Sequence, residues 1–340
     1  MTITTIKNKL NMKHFFFNID TLGLGQCNLR CPSCPIGNSD VKNPTGLMSP
    51  ELLEKILIKA KQECYVSGVG LFSWTEPLLH PQISDLIKII ENLELKSFIS
   101  SNLNIKKDFF KILEANPTTF RVSLSGFNQS IYSQFHKGGD IELVKENMKK
   151  LSDAKKQTGA KTNIHVLYHR YLGNLDDEIL MRDYANSLGF DFQPVWAYFM
   201  NLDKQIAYLE GDKSALTTQD LDIINKMVIP YWETTKMLQK YKHSPCTLRE
   251  DQMTLDKDGN VQLCCGAYDA NKYTITNFLS SSIDEIQNMK SQHPTCNQCM
   301  DQAIHVYGIY GTIGSSEIDE YALNNITQYY LEKLGIFIGM

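Results

Sequence analysis

From about Phe15 to Trp196, short apolar runs alternate with helical patterns, each pair taking roughly thirty residues, the rhythm of repeated βα units. The spacing predicts strands over Phe15–Ile19, Val66–Phe72, Lys96–Ile99, Phe120–Leu124, Lys161–Leu167 and Phe190–Val195. Between them lie credible helices. Ser49 can cap one that starts with Pro50 and carries Leu53, Ile56, Leu57 and Ala60 on one stripe. Ile83–Asn92, Ile105–Ala115, Ile141–Ala154 and Leu175–Leu188 read the same way. Right-handed crossovers then make an α/β fold, a partial (β/α)6 parallel barrel with its ligand site at the strand C-termini.

Beyond Trp196 the rhythm stops. Leu216–Tyr241 reads mainly as helix, Gln252–Leu255 and Asn260–Leu263 flank the hairpin turn Lys257-Asp258-Gly259, and Ile283–Met289 reads as a short helix. The expected organisation is an extension over 1–14, a barrel over 15–200, a helical linker over 201–245, a small β-hairpin/helix domain over 246–302 and a tail over 303–340.

The 340 residues, 42% hydrophobic, suffice for a sizeable core. Net charge is −4 with no Lys/Arg block, which argues against nucleic-acid binding. No run approaches the ~18 apolar residues of a membrane span, and the start lacks a signal-peptide core, so a cytoplasmic protein without a membrane partner is expected. Cytosolic thiols stay reduced, so the nine cysteines call for metal rather than disulfides. Cys64 stands alone; the others form two sets.

Cys27, Cys31 and Cys34 place three thiols within eight residues, directly after the first predicted strand. Three thiolates leave one iron of a [4Fe–4S] cube without a protein ligand. Structural zinc would ask for a fourth ligand, and the nearest extra candidate, His14, is a strand away. A C-x-x-x-C-x-x-C after the first strand resembles the signature of the radical SAM superfamily, and the resemblance covers about residues 15–196. It implies that these cysteines hold a cluster whose open iron chelates S-adenosylmethionine, and that one electron then cleaves the sulphur–carbon bond. It also implies a reductase partner such as flavodoxin or ferredoxin.

Further landmarks follow in order. Glu76, in Trp74-Thr75-Glu76-Pro77, stands where the family has Gly-Gly-Glu-Pro, and matches the acceptor for the methionine amino group. Ser101-Asn102-Leu103 resembles Thr-Asn-Gly, and Ser123-Leu124-Ser125-Gly126 resembles Ser-Leu-Asp-Gly. Ser101, Asn102 and above all Ser123 are therefore candidates for hydrogen bonds to the cofactor's ribose and carboxylate. Arg170, ending the fifth strand, is a candidate for a fork–fork pair with that carboxylate. His136-Lys137-Gly138-Gly139 matches an Arg-containing stretch of relatives without an assigned role.

In the second set, Cys246, Cys264, Cys296 and Cys299 can ligate one cluster completely, although four cysteines ending in C-x-x-C also describe a zinc ribbon. The set resembles the Twitch form of the SPASM extension, which implies an auxiliary [4Fe–4S] cluster. Cys265 is left over. Adjacent strand residues point to opposite faces, so it is expected not to share the cluster and is a candidate hydrogen-atom donor. The resemblance implies an oxidoreductase or epimerase acting on a small polar substrate, such as a sugar or cyclitol. Only fourteen residues precede Phe15, which tilts the reading away from a peptide substrate. The other readings are a peptide-modifying enzyme and an iron–sulphur electron-transfer protein without radical chemistry. The tail, with Tyr307-Gly308-Ile309-Tyr310-Gly311, is expected to cover the site or form a dimer contact.

Overall fold

The computed structural model describes residues 12–308 and 315–335. Six parallel strands lie where the rhythm predicts them: β1 His14–Ile19, β2 Tyr65–Gly70, β3 Ser97–Ser101, β4 Thr119–Leu124, β5 Asn163–Arg170 and β6 Asp191–Trp196. Their helices cover one face. Pro50–Glu63 illustrates why they form: the Ser49 side chain accepts from the Leu52 N–H, Pro50 supplies a preset φ, and Leu53, Ile56, Leu57 and Ala60 are buried. Each such aliphatic side chain contributes about 1.5–3 kcal/mol on burial. Leu53→Ala, which leaves a cavity, would cost about 2–5 kcal/mol.

The helix expected over Ile105–Ala115 shrinks to Phe110–Glu114. Asn147 Nδ2 captures the carbonyls of Leu103 (2.8 Å) and Ile105 (2.7 Å), and Lys107 Nζ reaches back to the Leu78 (2.8 Å) and His80 (3.2 Å) carbonyls. These contacts hold the segment extended. The stretch Leu216–Tyr241 is likewise split into Thr218–Asn225 and Tyr231–Met237 by Pro230, whose ring cannot continue a helix. A further helix, Leu202–Leu209, lies at the start of the stretch expected as a helical linker.

The larger departure concerns the second cysteine segment, which does not build a sheet of its own. β7, Gln252–Leu255, pairs parallel with β1 (Phe16 with Gln252 through Ile19 with Leu255). The expected hairpin follows to β8, Asn260–Gln262, and β9, Thr274–Asn277, is added antiparallel. One open sheet results, in the order β6-β5-β4-β3-β2-β1-β7-β8-β9. β1 is thus a central strand, which its buried Phe15, Phe17 and Ile19 suit.

One core lies between the sheet and its helices. A second gathers Phe199, Ile224, Val228 and Tyr231 with Tyr307 and with Ile318 and Ala322 of helix Ser315–Lys333. Among the described residues, no helix is long and apolar enough to cross a membrane.

Candidate functional site

Alternation along β4 decides what faces the inside of the partial barrel. Phe120, Val122 and Leu124 enter the core, which leaves Arg121 and Ser123 on the opposite face. That face lines a cavity of about 440 Å3, whose wall also includes Cys27, Cys31 and Cys34 on one side and Cys246, Cys264, Cys265, Cys296 and Cys299 on the other. The two cysteine sets, distant in sequence, thus share one space.

The first set sits on an irregular loop after β1. Cys34 N–H donates to the Cys31 carbonyl (3.1 Å), closing a turn that brings the thiols round. Gly25 has φ +87°, and a Cβ there would run into the Tyr268 hydroxyl. Burial raises the thiol of Cys27 to about 11 and that of Cys34 to about 12, and pushes Cys31 well above its ordinary value; for Cys31 the neighbouring thiols add to the shift. All nine cysteines are free. Cys27 Sγ accepts from Leu29 N–H (3.4 Å) and Asn102 Nδ2 (3.6 Å), bonds suited to a negatively charged sulphur. A bound metal reverses the protonation preference of such thiols outright. Three soft donors on one wall of a cavity therefore fit an iron–sulphur cluster. Among the described residues, no group of three or more His, Cys, Asp or Glu side chains is gathered closely enough for a single metal ion.

Glu76 is buried on the same cavity. Its Oε1 accepts from Ser101 Oγ (2.7 Å) and Leu78 N–H (3.1 Å), and its Oε2 from Asn102 N–H (2.9 Å). A carboxylate has about four acceptor sites, so one remains for a ligand ammonium. Burial raises Glu76 to about 6 despite these bonds. Ser101 and Asn102 thus reach the site by holding Glu76, and both also line the cavity, as does Ser123. Leu103 occupies the left-handed region at φ +53°, where the resembling motif has glycine; its fully buried side chain offsets that strain.

Trp74 stands at another of the replaced glycines. Its indole Nε1–H donates to the Ala267 carbonyl (2.9 Å), its ring meets Tyr268 edge-on at 5.9 Å, and its carbonyl accepts from Gly25 N–H (3.0 Å). Trp74 thus ties the β2 loop to both cysteine segments, to the first through its backbone carbonyl and to the second through its side chain. Asp20, at the end of β1, accepts from Trp74 N–H and Thr75 Oγ1, each at 2.9 Å, and burial raises it to about 7.

Arg170 does not join the site. Its guanidinium forms a two-point pair with Glu178 (2.6 and 2.7 Å) and lies over Trp196, away from the cavity wall. Two guanidinium groups do line the cavity: Arg249, paired with Glu250 (3.0 Å), and Arg121, which donates to Ser100 Oγ (3.0 Å) and stacks on Phe72 at 4.5 Å. Its position amid alternating apolar residues of β4 was the available signal. His136, stacked on Tyr132, approaches Ser125 Oγ (3.1 Å) and Cys31 Sγ (3.7 Å); burial lowers it to about 3, so it is neutral.

The second set comes from three elements. Cys246 precedes helix Thr247–Glu250, Cys264 follows β8, and Cys296 and Cys299 stand three apart on helix Pro294–Asp301, a spacing that shares a face. Burial raises all four thiols, and charge on Cys264 and Cys246 raises Cys299 further; all four line the cavity. Cys265 lies in a turn beyond β8, so the expected strand alternation does not apply, and it lines the same cavity as Cys264. Tyr307 lines the cavity too and accepts from Phe199 N–H (3.2 Å); Ile309, Tyr310 and Gly311 lie outside the described residues.

Comparison with known proteins agrees with this geometry. The Radical SAM superfamily model matches residues 24–177. Probable GTP 3′,8-cyclases of Methanocaldococcus jannaschii (28% identical over 130 residues) and Methanococcus maripaludis strain C5 (29% over 127) align with 38% and 37% of this chain. The match spans only 43% and 42% of those proteins. Among solved structures, Streptococcus suis SuiB bound to precursor peptide SuiA has a TM-score of 0.56 at 16% identity, covering 86% of this chain and 68% of SuiB. Native anSMEcpe with bound AdoMet has 0.54 at 17%, covering 84% and 82%. These two share the fold. The motif, the cavity that gathers its thiols and the matched segment converge on one conclusion: residues 24–177 form a radical SAM domain.

Proposed function

We propose that this enzyme cleaves S-adenosylmethionine reductively and abstracts a hydrogen atom from a small polar substrate held in the shared cavity, with dehydrogenation or epimerisation of a sugar or cyclitol as the favoured outcome. The observation that carries the reading is the single cavity joining Cys27, Cys31, Cys34, Glu76 and the second cysteine set. A [4Fe–4S] cluster held by the first three thiolates supplies an open coordination site and the electron for cofactor cleavage. Glu76 offers its remaining acceptor site to the methionine ammonium, in a charge-assisted hydrogen bond. Ser123 serves the ribose. With Arg170 occupied by Glu178 and Arg249 by Glu250, Arg121 is the guanidinium left to face a carboxylate.

Cys246, Cys264, Cys296 and Cys299 hold an auxiliary [4Fe–4S] cluster in a Twitch-type extension, and Cys265 beside them is the candidate hydrogen-atom donor. Flavodoxin or ferredoxin supplies the reducing electron in the cytoplasm. SuiB, crystallised with its precursor peptide, marks the alternative, a peptide substrate.

The test is anaerobic. Protein reconstituted with iron and sulphide is expected to carry about eight irons per chain. With dithionite and S-adenosylmethionine it should form 5′-deoxyadenosine, read by chromatography and mass spectrometry. Fully loaded protein that forms none overturns the reading.

A further inference from the structure

Lys290, in the last turn of helix Ile283–Gln292, is completely buried. Its Nζ donates to the carbonyls of Arg249 and Gln252, each at 2.9 Å, which leaves one of its three N–H groups without a partner among the described residues. Burial disfavours the ammonium, and the groups that favour it are Cys264, Cys296, Cys246 and Cys265. No carboxylate among the described residues pairs with it. An ammonium out of water is retained only beside an anion, and methionine or leucine would fill the space without that penalty. Ligated as thiolates, the sulphurs of the second set would be such anions, and Cys246 lies three residues before Arg249, whose carbonyl Nζ holds.

We propose that Lys290 is the fixed counter-charge of the second cysteine set, stabilising its sulphurs as thiolate ligands and making the cluster they hold easier to reduce. The proposal rests on the auxiliary-cluster reading above. The physical reason is Coulombic: reduction adds one negative charge, and a buried positive charge close by favours the more negative state, net charge and hydrogen bonding being what sets such potentials. Lys290 is a positioning residue in this role. It also pins the carbonyl of Arg249, three residues beyond Cys246, and that of Gln252 at the start of β7, so the charge is anchored to the segment that carries the ligand.

The experiment uses the full-length chain with Cys27→Ala, Cys31→Ala and Cys34→Ala, so that the second site alone reports, loaded with iron and sulphide and titrated by EPR at set potentials. Lys290→Met and Lys290→Gln are expected to lower the reduced-to-oxidised ratio at fixed potential at least tenfold, about 59 mV for a one-electron couple. Lys290→Arg should restore most of it. Glutamine keeps donor groups for the two carbonyls, so a shift shared by Met and Gln belongs to the charge. Equal potentials in the parent and both neutral variants, at equal iron content, overturn the proposal. If the neutral variants fold by circular dichroism yet bind no iron, while Lys290→Arg binds about four per chain, the counter-charge is needed for loading itself and the proposal stands. Loss of iron in the arginine variant as well overturns it. A parent that binds zinc or no metal overturns the auxiliary-cluster reading, a result distinguishable because it is seen before Lys290 is changed.

Discussion

The two cysteine sets face one cavity but are built differently. The first takes three thiols from a single loop of eight residues, and the one basic residue within that loop, Arg30, is exposed and spends its guanidinium on the carbonyls of Cys27 and Leu29, each at 2.7 Å. The second takes four from three separate elements, and the buried Lys290 is bonded to the Arg249 and Gln252 carbonyls, just beyond Cys246. A three-thiol loop leaves room for a ligand to complete the site and bring its own charge. A four-thiol nest with an internal cation is complete without one. On the reading proposed above, the first set would exchange ligands and the second would not.

The comparison breaks most visibly at the first set. Replacing any one of Cys27, Cys31 or Cys34 by alanine should abolish 5′-deoxyadenosine formation and leave about four irons per chain at the second set, since the ligands are separate. Cofactor cleavage by the triple variant, or loss of all iron from a single one, would contradict that separation.

The link between the two regions is tested next. Trp74 is buried and bonded to Ala267, so Trp74→Ala should cost about 3–5 kcal/mol, read as a lower denaturant midpoint. Trp74→Phe, which keeps most of the ring and loses the indole donor, should cost less. Equal small losses in both would mean that the bridge carries little.

The smallest effect sharpens the ligand side. Glu76→Gln should weaken S-adenosylmethionine binding by roughly 1.5–3 kcal/mol, the worth of one charge-assisted hydrogen bond, measured by calorimetry. Burial raises Glu76 from 4.5 to about 6, so its neutral form gains below that pH and cannot accept from an ammonium through the protonated oxygen. Wild-type affinity should fall as pH drops through about 6, and the glutamine variant should not show that fall. In the ligand-free protein the sign runs the other way. The folded state holds the extra proton between 4.5 and 6, so this group's contribution to stability declines as pH rises through that window.

Much of this was legible beforehand. The six barrel strands were visible because parallel strands covered by helices read as short apolar runs at regular spacing. The cysteine sets and Glu76 stood out by their order and spacing, and the fold brings them to one cavity. Arg170 was misplaced because a cation at a strand end can turn either way, and only the fold reveals Glu178 one helical segment later as its partner. Arg121 was missed although the alternation of β4 already put it on the polar face beside Ser123. Cys265 was assigned by strand geometry to a residue that sits in a turn. The union of β7 with β1 was not readable, because pairing between distant segments leaves no periodic trace in either one.

That union has a bearing on how the protein is made. β1 emerges first from the ribosome, yet one of its two partners, β7, is synthesised after the whole barrel. Until then the Phe-rich β1 is an edge strand, presenting unpaired backbone groups of the kind that template aggregation. The nascent chain therefore carries its most apolar ribbon half-finished through most of translation, and a chain truncated before Gln252 would keep that edge permanently bare.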